Sequence, residues 1–504
     1  MANKKKNNRT CGVLMPIFSL PSRYGIGTFS KEAYEFVDFL EKAGQSYWQL
    51  LPLGPTSYGD SPYQSFSTFA GNPYFIDIES LIKDGLLTAK DADKCDFGKS
   101  EESIDYEKLY RSRFVLLKKA YENIDKSPRA KEIKKEFEAF KKAPENDWLK
   151  DYSLFMALKN VYDGRAWNTW DEGLRLRKSA SLKEACKKYA EEIDFYSFLQ
   201  YLFSVQWTAL KAYANEKGIE IIGDIPIYVA FDSADTWASP ELFQLDKNND
   251  PIDVAGCPPD AFSATGQLWG NPLYKWDYHK KTGYKWWMKR IAHCYKLYDV
   301  VRIDHFRGFD EYYAIPFGNP TAEKGEWRKG PGIELFDIMK KELGQKKVIA
   351  EDLGFLTPSV IRLVKKTGYP GMKILQFAFD SREESDYLPH NYTNNCIVYT
   401  GTHDNDTTRG WFDKLPKADK KFAKEYLGLK NGKDAVWACI RASFASVSDT
   451  VIIPMQDYLE LPGEARINTP STLGGNWVWR MKKDAVTDEL TEKMHDFARI
   501  YGRL

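Results

Sequence analysis

Eight short apolar runs recur along the chain, at residues 12–18, 47–53, 219–228, 299–303, 347–350, 372–377, 396–399 and 451–455, and most are near-continuous rather than alternating. An alternating run suits a strand with one wet face. A continuous run needs cover on both faces, as in a parallel sheet flanked by helices. Amphipathic stretches lie between several of the runs. In 30–44, Ala33, Phe36, Val37, Leu40 and Ala43 recur at helical spacing, with Ser30 placed to cap the start and Gly44 to stop the end. Strand and helix alternating to eight strands predicts an α/β fold, a (β/α)8 TIM barrel. An open doubly wound sheet is the alternative that the pattern alone leaves.

Two intervals are too long for simple connections, and they predict large insertions after the second and third strands. The middle of the first, 84–217, is charged and reads as helical at 106–121, 130–142 and 182–210, a mainly helical insertion subdomain. The second, 230–283, is rich in Gly, Pro, Asp, Asn and Trp and has little periodicity. Long irregular loops in a compact domain are usually functional, and loops that follow barrel strands lie on the catalytic face. The chain then divides into 1–83 (barrel start with an active-site loop), 84–217, 218–229 (a barrel strand), 230–283 and 284–504 (the rest of the catalytic barrel).

Composition excludes several function classes. Lys plus Arg number 72 against 71 Asp plus Glu, a net charge of +1 in 504 residues. That balance argues against nucleic acid or an anionic membrane as partner. No run approaches the ~18 apolar residues that span a bilayer. Lys4, Lys5, Lys6 and Arg9 before the apolar stretch 11–20 imitate a signal peptide, but Pro16 interrupts the stretch and no small-residue cleavage pattern closes it. The seven cysteines are odd in number, scattered and without CxxC spacing, which suits a reducing cytoplasm. The six histidines form no HExxH, so neither a metal site nor a cofactor is expected. Aromatic residues make up 15%, including 15 Trp and 30 Tyr, and their flat faces with a polar edge pack cores or stack on sugar rings.

Three acidic residues stand where predicted strands leave the core: Asp304 after 300–303, Glu351 after 348–350, and Asp404 after the 396–399 run and Thr400-Gly401-Thr402-His403. Any one of them has an ordinary explanation as a cap, turn or ion-pair residue. Three carboxylates at the same end of three strands suit glycosyl transfer, in which one forms a covalent intermediate and another moves a proton. Arg302 lies two residues before Asp304 on one strand, so both side chains point to the same side, where a guanidinium holds a carboxylate ionised.

The strings Arg302-Ile303-Asp304-His305-Phe306-Arg307-Gly308, Ala350-Glu351-Asp352-Leu353-Gly354 and Gly401-Thr402-His403-Asp404-Asn405-Asp406 resemble those of amylomaltases. These are the 4-α-glucanotransferases, or disproportionating enzymes, of the wider α-amylase group. The likeness extends in order through Leu50–Thr56, Tyr58-Gly59-Asp60-Ser61-Pro62-Tyr63, Gly223-Asp224-Ile225-Pro226, Pro258-Pro259-Asp260, Gly270-Asn271-Pro272 and Arg466-Ile467-Asn468-Thr469-Pro470. It is weakest over 84–217.

The resemblance implies catalytic roles: Asp304 as nucleophile, Glu351 as general acid/base, Asp404 as stabiliser of the distorted sugar. It implies substrate contacts from Tyr58, Ser61, Tyr63, Asp224, Gln267, Trp269, Arg302, His403 and Asn468, with Asp224 better suited to bracing the site than to touching sugar. In the family an aromatic pair often follows Pro-Pro-Asp; here Ala261-Phe262 stand there, leaving Phe262 as the stacking candidate. The implied donors are maltooligosaccharides, starch and other α-1,4-glucans, and the implied acceptors are glucose or maltooligosaccharides. A hydrolytic α-amylase-type enzyme is the nearest alternative. Preference for transfer requires exclusion of water and tight hold on the acceptor, which the two long insertions could supply.

Overall fold

The computed structural model describes residues 9–57, 59–259, 263–354 and 356–504. Eight parallel strands form one sheet: β1 (Thr10–Leu14), β2 (Tyr47–Gln49), β3 (Glu220–Pro226), β4 (Val300–Asp304), β5 (Val348–Ala350), β6 (Gly371–Ile374), β7 (Cys396–Tyr399) and β8 (Thr450–Pro454). Their order is β6-β7-β8-β1-β2-β3-β4-β5. The two ends of that order meet. The Ala350 N–H donates to the Pro370 carbonyl at 3.0 Å, and the Asp352 carboxylate accepts from the Met372 N–H at 2.8 Å. The sheet is therefore a closed (β/α)8 barrel and not an open one.

β1, β2, β3, β5 and β6 are shorter than the apolar runs that announce them, and in β1 and β6 the reason is local. β1 stops at Leu14 because Pro16 offers no N–H to a ladder, and the chain turns into a 3-10 helix at Ile17–Ser19. β6 passes directly into another at Leu375–Phe377. The helix after β1, Lys31–Lys42, buries Ala33, Phe36, Val37, Phe39 and Leu40, and Gly44 ends it in the left-handed region at φ 65°. Ser30 occupies the cap position, but its hydroxyl bonds Glu32 instead of the helix backbone.

Between β2 and β3 the chain is helical at Tyr106–Glu122, Ala130–Lys142, Leu149–Val161, Ser179–Lys188 and Ala190–Glu216. The run expected as one helix over 182–210 is two, broken at Tyr189. The second is 27 residues long and has two neighbourhoods. Its start meets Leu149–Val161, where Ser153 and Ser197 hydroxyls lie 2.9 Å apart. Its end returns to the barrel, with Trp207 Nε1 on the Leu297 carbonyl at 3.1 Å and Tyr213 on Asp38 at 2.6 Å. A buried cluster of Tyr152, Phe155, Leu158, Trp167, Trp170 and Trp237 joins the insertion to the loop after β3.

The interval after β3 is less irregular than its composition predicts. Asp253–Cys257 and Gln267–Pro272 pair with each other, and Asp253–Cys257 pairs with Glu311–Pro316, which in turn pairs with Glu326–Lys329. This antiparallel sheet draws half its strands from beyond β4, and its Trp269 packs on His305, the residue that follows β4. No helix of the described residues is long and apolar enough to cross a membrane, and all seven cysteines are free.

Candidate active site

Asp304 ends β4, Glu351 directly follows β5, and Asp404 lies five residues beyond β7. All three leave the barrel at its C-terminal end, and one hydrogen-bonded set joins their surroundings. Its centre is Arg302, 3% exposed. One guanidinium nitrogen of Arg302 reaches both oxygens of Asp224, at 2.8 and 2.6 Å, and another lies 3.1 Å from Asp304 Oδ1. A single cation thus braces two carboxylates from neighbouring strands.

Asp224 is 0% exposed. Its second oxygen also accepts from the Tyr63 hydroxyl at 2.8 Å, and that hydroxyl lies 2.9 Å from His403 Nε2. The carboxylate is spent on bracing and presents no surface to the cleft. The Tyr63 and His403 rings stack at 5.2 Å with a 17° interplanar angle, and Trp477 packs against both. His403 Nε2 is 3.3 Å from Asp404 Oδ2, while Asn468 Nδ2 donates to Asp404 Oδ1 at 2.6 Å. Asp304 and Asp404 keep side chains 30% and 42% exposed, so they face the cleft while Arg302 and His403 behind them are buried.

Glu351 is held differently. The Leu353 N–H donates to Oε1 at 2.9 Å and the His305 N–H to Oε2 at 2.7 Å. His305 reaches this position because it turns left-handed, φ 52°, immediately after Asp304.

The electrostatics separate the three carboxyls. Burial raises Glu351 to about 7, the charge of Asp304 adds to that, and Arg302 with the two N–H donors opposes it. Burial also raises Asp304, to about 6, with Arg302 pulling down and Asp224 and Asp404 pushing up. The contact of Arg302 with Asp304 favours the ionised form of Asp304, and that charge in turn favours the protonated form of Glu351. Burial works to raise Asp404 too, but His403, Asn468 and Arg302 outweigh it and hold Asp404 down at about 2. One acid near neutrality beside two anions is the arrangement that glycosyl transfer requires.

The other sequence-predicted residues distribute as follows. Trp269 sets its ring edge-on to His305 at 4.7 Å, and its Nε1 donates to Gln267 Oε1 at 3.1 Å, so this pair borders the Asp304 side. Ser61 accepts from the Tyr63 N–H at 3.3 Å and shapes the turn that presents Tyr63. Tyr58, Asp260, Ala261 and Phe262 lie outside the described residues. Sequence reasoning missed the His305 and Leu353 N–H groups, Trp477, and Arg466, which donates to the carbonyls of Asp404 and Asn468. Adjacency was the one available signal: His305 follows Asp304, and Arg466 opens the string that contains Asn468. Among the described residues, no cluster of three or more His, Cys, Asp or Glu side chains is placed to hold a metal ion.

The chain is similar to known proteins along nearly its whole length. The sequence profile described as 4-alpha-glucanotransferase matches residues 15–487. The chain is 51% identical over 493 residues to a 4-alpha-glucanotransferase of Clostridium butyricum, covering 97% of this chain and 100% of that one. It is 46% identical over 503 residues to one from Thermus thermophilus, covering 98% and 99%. Among solved structures, an amylomaltase from Streptococcus agalactiae in complex with acarbose matches with a TM-score of 0.95 at 44% identity, covering 98% and 99%. The chain belongs to the 4-alpha-glucanotransferase family.

Proposed function

We propose that the chain moves α-1,4-glucan segments from a maltooligosaccharide or starch donor to glucose or another maltooligosaccharide, with retention at the anomeric carbon. Asp304 attacks the anomeric carbon, the C1–O4 bond breaks, and Glu351 gives its proton to the departing O4. The acceptor 4-hydroxyl then gives its proton to Glu351 and displaces Asp304 from C1. Asp404 stays ionised throughout and offsets positive charge on the sugar ring. Tyr63, His403, Asn468, Gln267 and Trp269 line the path of the glucan, and Tyr58 and Ser61 are further substrate contacts; Arg302, itself braced by Asp224, holds the nucleophile. The helical segment 84–217 supplies no catalytic group.

The observation that carries this reading is the contrast between Glu351, raised to about 7, and the Arg302-braced Asp304. It supports an acid and an ionised nucleophile coexisting at neutral pH. The relatives' names favour transfer over the hydrolytic alternative. Seven free cysteines and a net charge of +1 support action in the cytoplasm on maltose, starch or glycogen chains, with neither nucleic acid nor membrane as partner. Incubation with maltotriose tests it. Glucose together with chains longer than maltotriose means transfer; glucose and maltose alone mean hydrolysis and sink the proposal.

A further inference from the structure

Asn468 and Asp404 come from different loops, one after β8 and one after β7, yet their side chains meet at 2.6 Å. A bond between two loops depends on both backbones staying in place, and here one side chain holds both. Arg466 Nε donates to the Asn468 carbonyl at 2.7 Å, and its Nη2 donates to the Asp404 carbonyl. The Asn468 N–H adds a rung to the His403 carbonyl at 3.1 Å. The Asp404 loop is also tied within itself through Thr402 and Asn405, and to its surroundings through His403 on Tyr63 and the Asp406 carbonyl on Gln376, but none of these bonds reaches the Asp404 main chain from the loop after β8.

We infer that Arg466 is a positioning residue for Asp404: its planar fork spans the carbonyls of both partners of the Asn468–Asp404 hydrogen bond and so fixes the orientation of that carboxylate without touching the reacting sugar. The consequence rests on the role assigned to Asp404 above. The geometric claim does not. Lysine carries the same charge, but as a single point donor on a flexible stem, so it cannot reproduce the two fixed directions. A misplacement of about 1 Å in a catalytic group commonly costs on the order of 100-fold in rate.

The experiment uses the full chain with Arg466→Lys, Arg466→Met and Arg466→Ala. A fluorinated glycosyl fluoride that traps the covalent intermediate counts competent sites, so a poorly folded fraction is removed from the comparison. Per trapped site, maltotriose disproportionation should fall about 10- to 100-fold in kcat with donor KM nearly unchanged, and methylguanidinium should restore rate in Arg466→Ala. The trapping rate should fall in the same ratio, a readout that holds whatever the acceptor is. Crystal structures of the variants should show the Asn468–Asp404 bond broken. Wild-type kcat per site in Arg466→Lys, or an intact Asn468–Asp404 bond in Arg466→Met, overturns the inference. Failure of the wild-type chain to disproportionate maltotriose overturns the proposed function instead.

Discussion

The main-chain N–H of His305 donates to Oε2 of Glu351 at 2.7 Å, and it does so from a left-handed backbone, φ 52°. The residue after the proposed nucleophile thereby holds the proposed acid. Donors to a carboxylate favour its charged form, so this bond opposes the burial that raises Glu351. His305→Gly keeps the turn, because glycine takes positive φ freely, and it should leave the Glu351 titration in place. His305→Val forces a β-branched residue into that region at about 1–2 kcal/mol, and the turn should yield. Glu351 then loses a donor to its anion, its pKa rises, and the alkaline limb of kcat/KM moves to higher pH. Identical alkaline limbs in the two variants would show that the backbone bond does not tune the acid.

The pH profile follows from the same pair. In the proposed mechanism Asp304 must be ionised, so activity should fall as pH drops through about 6. Glu351 must be protonated, so activity falls as pH rises through about 7. A narrow bell in kcat/KM is expected, with limbs that belong to the coupled pair. Glu351→Gln should remove the alkaline limb and cost about 10²–10⁴ in rate on maltooligosaccharides. An activated aryl or fluoride glycoside should still glycosylate Asp304, since its leaving group needs little protonation. Unchanged turnover of maltooligosaccharides would sink the assignment.

Stability should move the opposite way in that variant. A carboxyl whose folded pKa is raised from 4.5 to about 7 binds its proton more tightly folded than unfolded. Its stabilising share is present below the unfolded value and is lost as pH rises through the folded one. At pH 7.5 Glu351→Gln removes that burden and should raise Tm; at pH 4 the two proteins should melt alike. Asp404 has the reverse sign: held down at about 2, it stabilises above its unfolded pKa and loses that share as pH falls through about 2. Calorimetry at pH 7.5 and 4 reads the Glu351 contribution, since Asp404 keeps most of its share at both values, and a lower Tm for Glu351→Gln at pH 7.5 would contradict the assignment.

The barrel was legible because strands buried on both faces must be written as continuous apolar runs, and β4, β5 and β7 leave few other readings. Strand ends were less legible, since the stops at Pro16 and before Leu375–Phe377 are made by local turns inside apolar sequence. The second sheet was hidden for another reason: Asp253–Cys257 pairs with Glu311–Pro316 across the whole of β4, and pairing at that separation leaves no local period. In the site, side chains with chemistry of their own, such as Asp304, Glu351 and Arg302, could be picked out. Groups that work through the main chain, such as the N–H of His305 and of Leu353, have no residue-type signature.

The far end of the barrel offers a test of architecture apart from chemistry. Arg503 is 0% exposed, and its guanidinium donates to the carbonyls of Thr10, Phe444, Ser446, Ser448 and Asp449 where β1 and β8 begin. Arg9 serves only Phe444 and Ser446 of that set. An unsatisfied buried polar group costs about 1–3 kcal/mol, so Arg503→Ala should lose about 3 kcal/mol or more in urea unfolding. The site lies at the opposite strand ends, so kcat of the folded fraction should hold. A variant as stable as wild type would refute the clamp.

The stereochemical outcome decides between two uses of the same carboxylates. An inverting pair stands ~6.5–9.5 Å apart to admit water, whereas a retaining pair stands ~5–5.5 Å apart so that one can attack carbon directly. Arg302 fixes Asp304 from behind, and His305, the next residue in the chain, fixes Glu351, so the two carboxyls are tied at adjacent strand ends. That tether suits the shorter spacing and two successive inversions. Products of disproportionation should therefore carry only α-linkages, read by NMR of the new anomeric proton. Asp304→Asn should abolish transfer while leaving the fold intact, since the change is nearly isosteric and Arg302 keeps both bonds to Asp224. Trapping with a fluorinated glycosyl fluoride, then peptide mapping, should place the label on Asp304. Label on another residue, or β-linked products, would overturn the double displacement even if glucan transfer itself were observed.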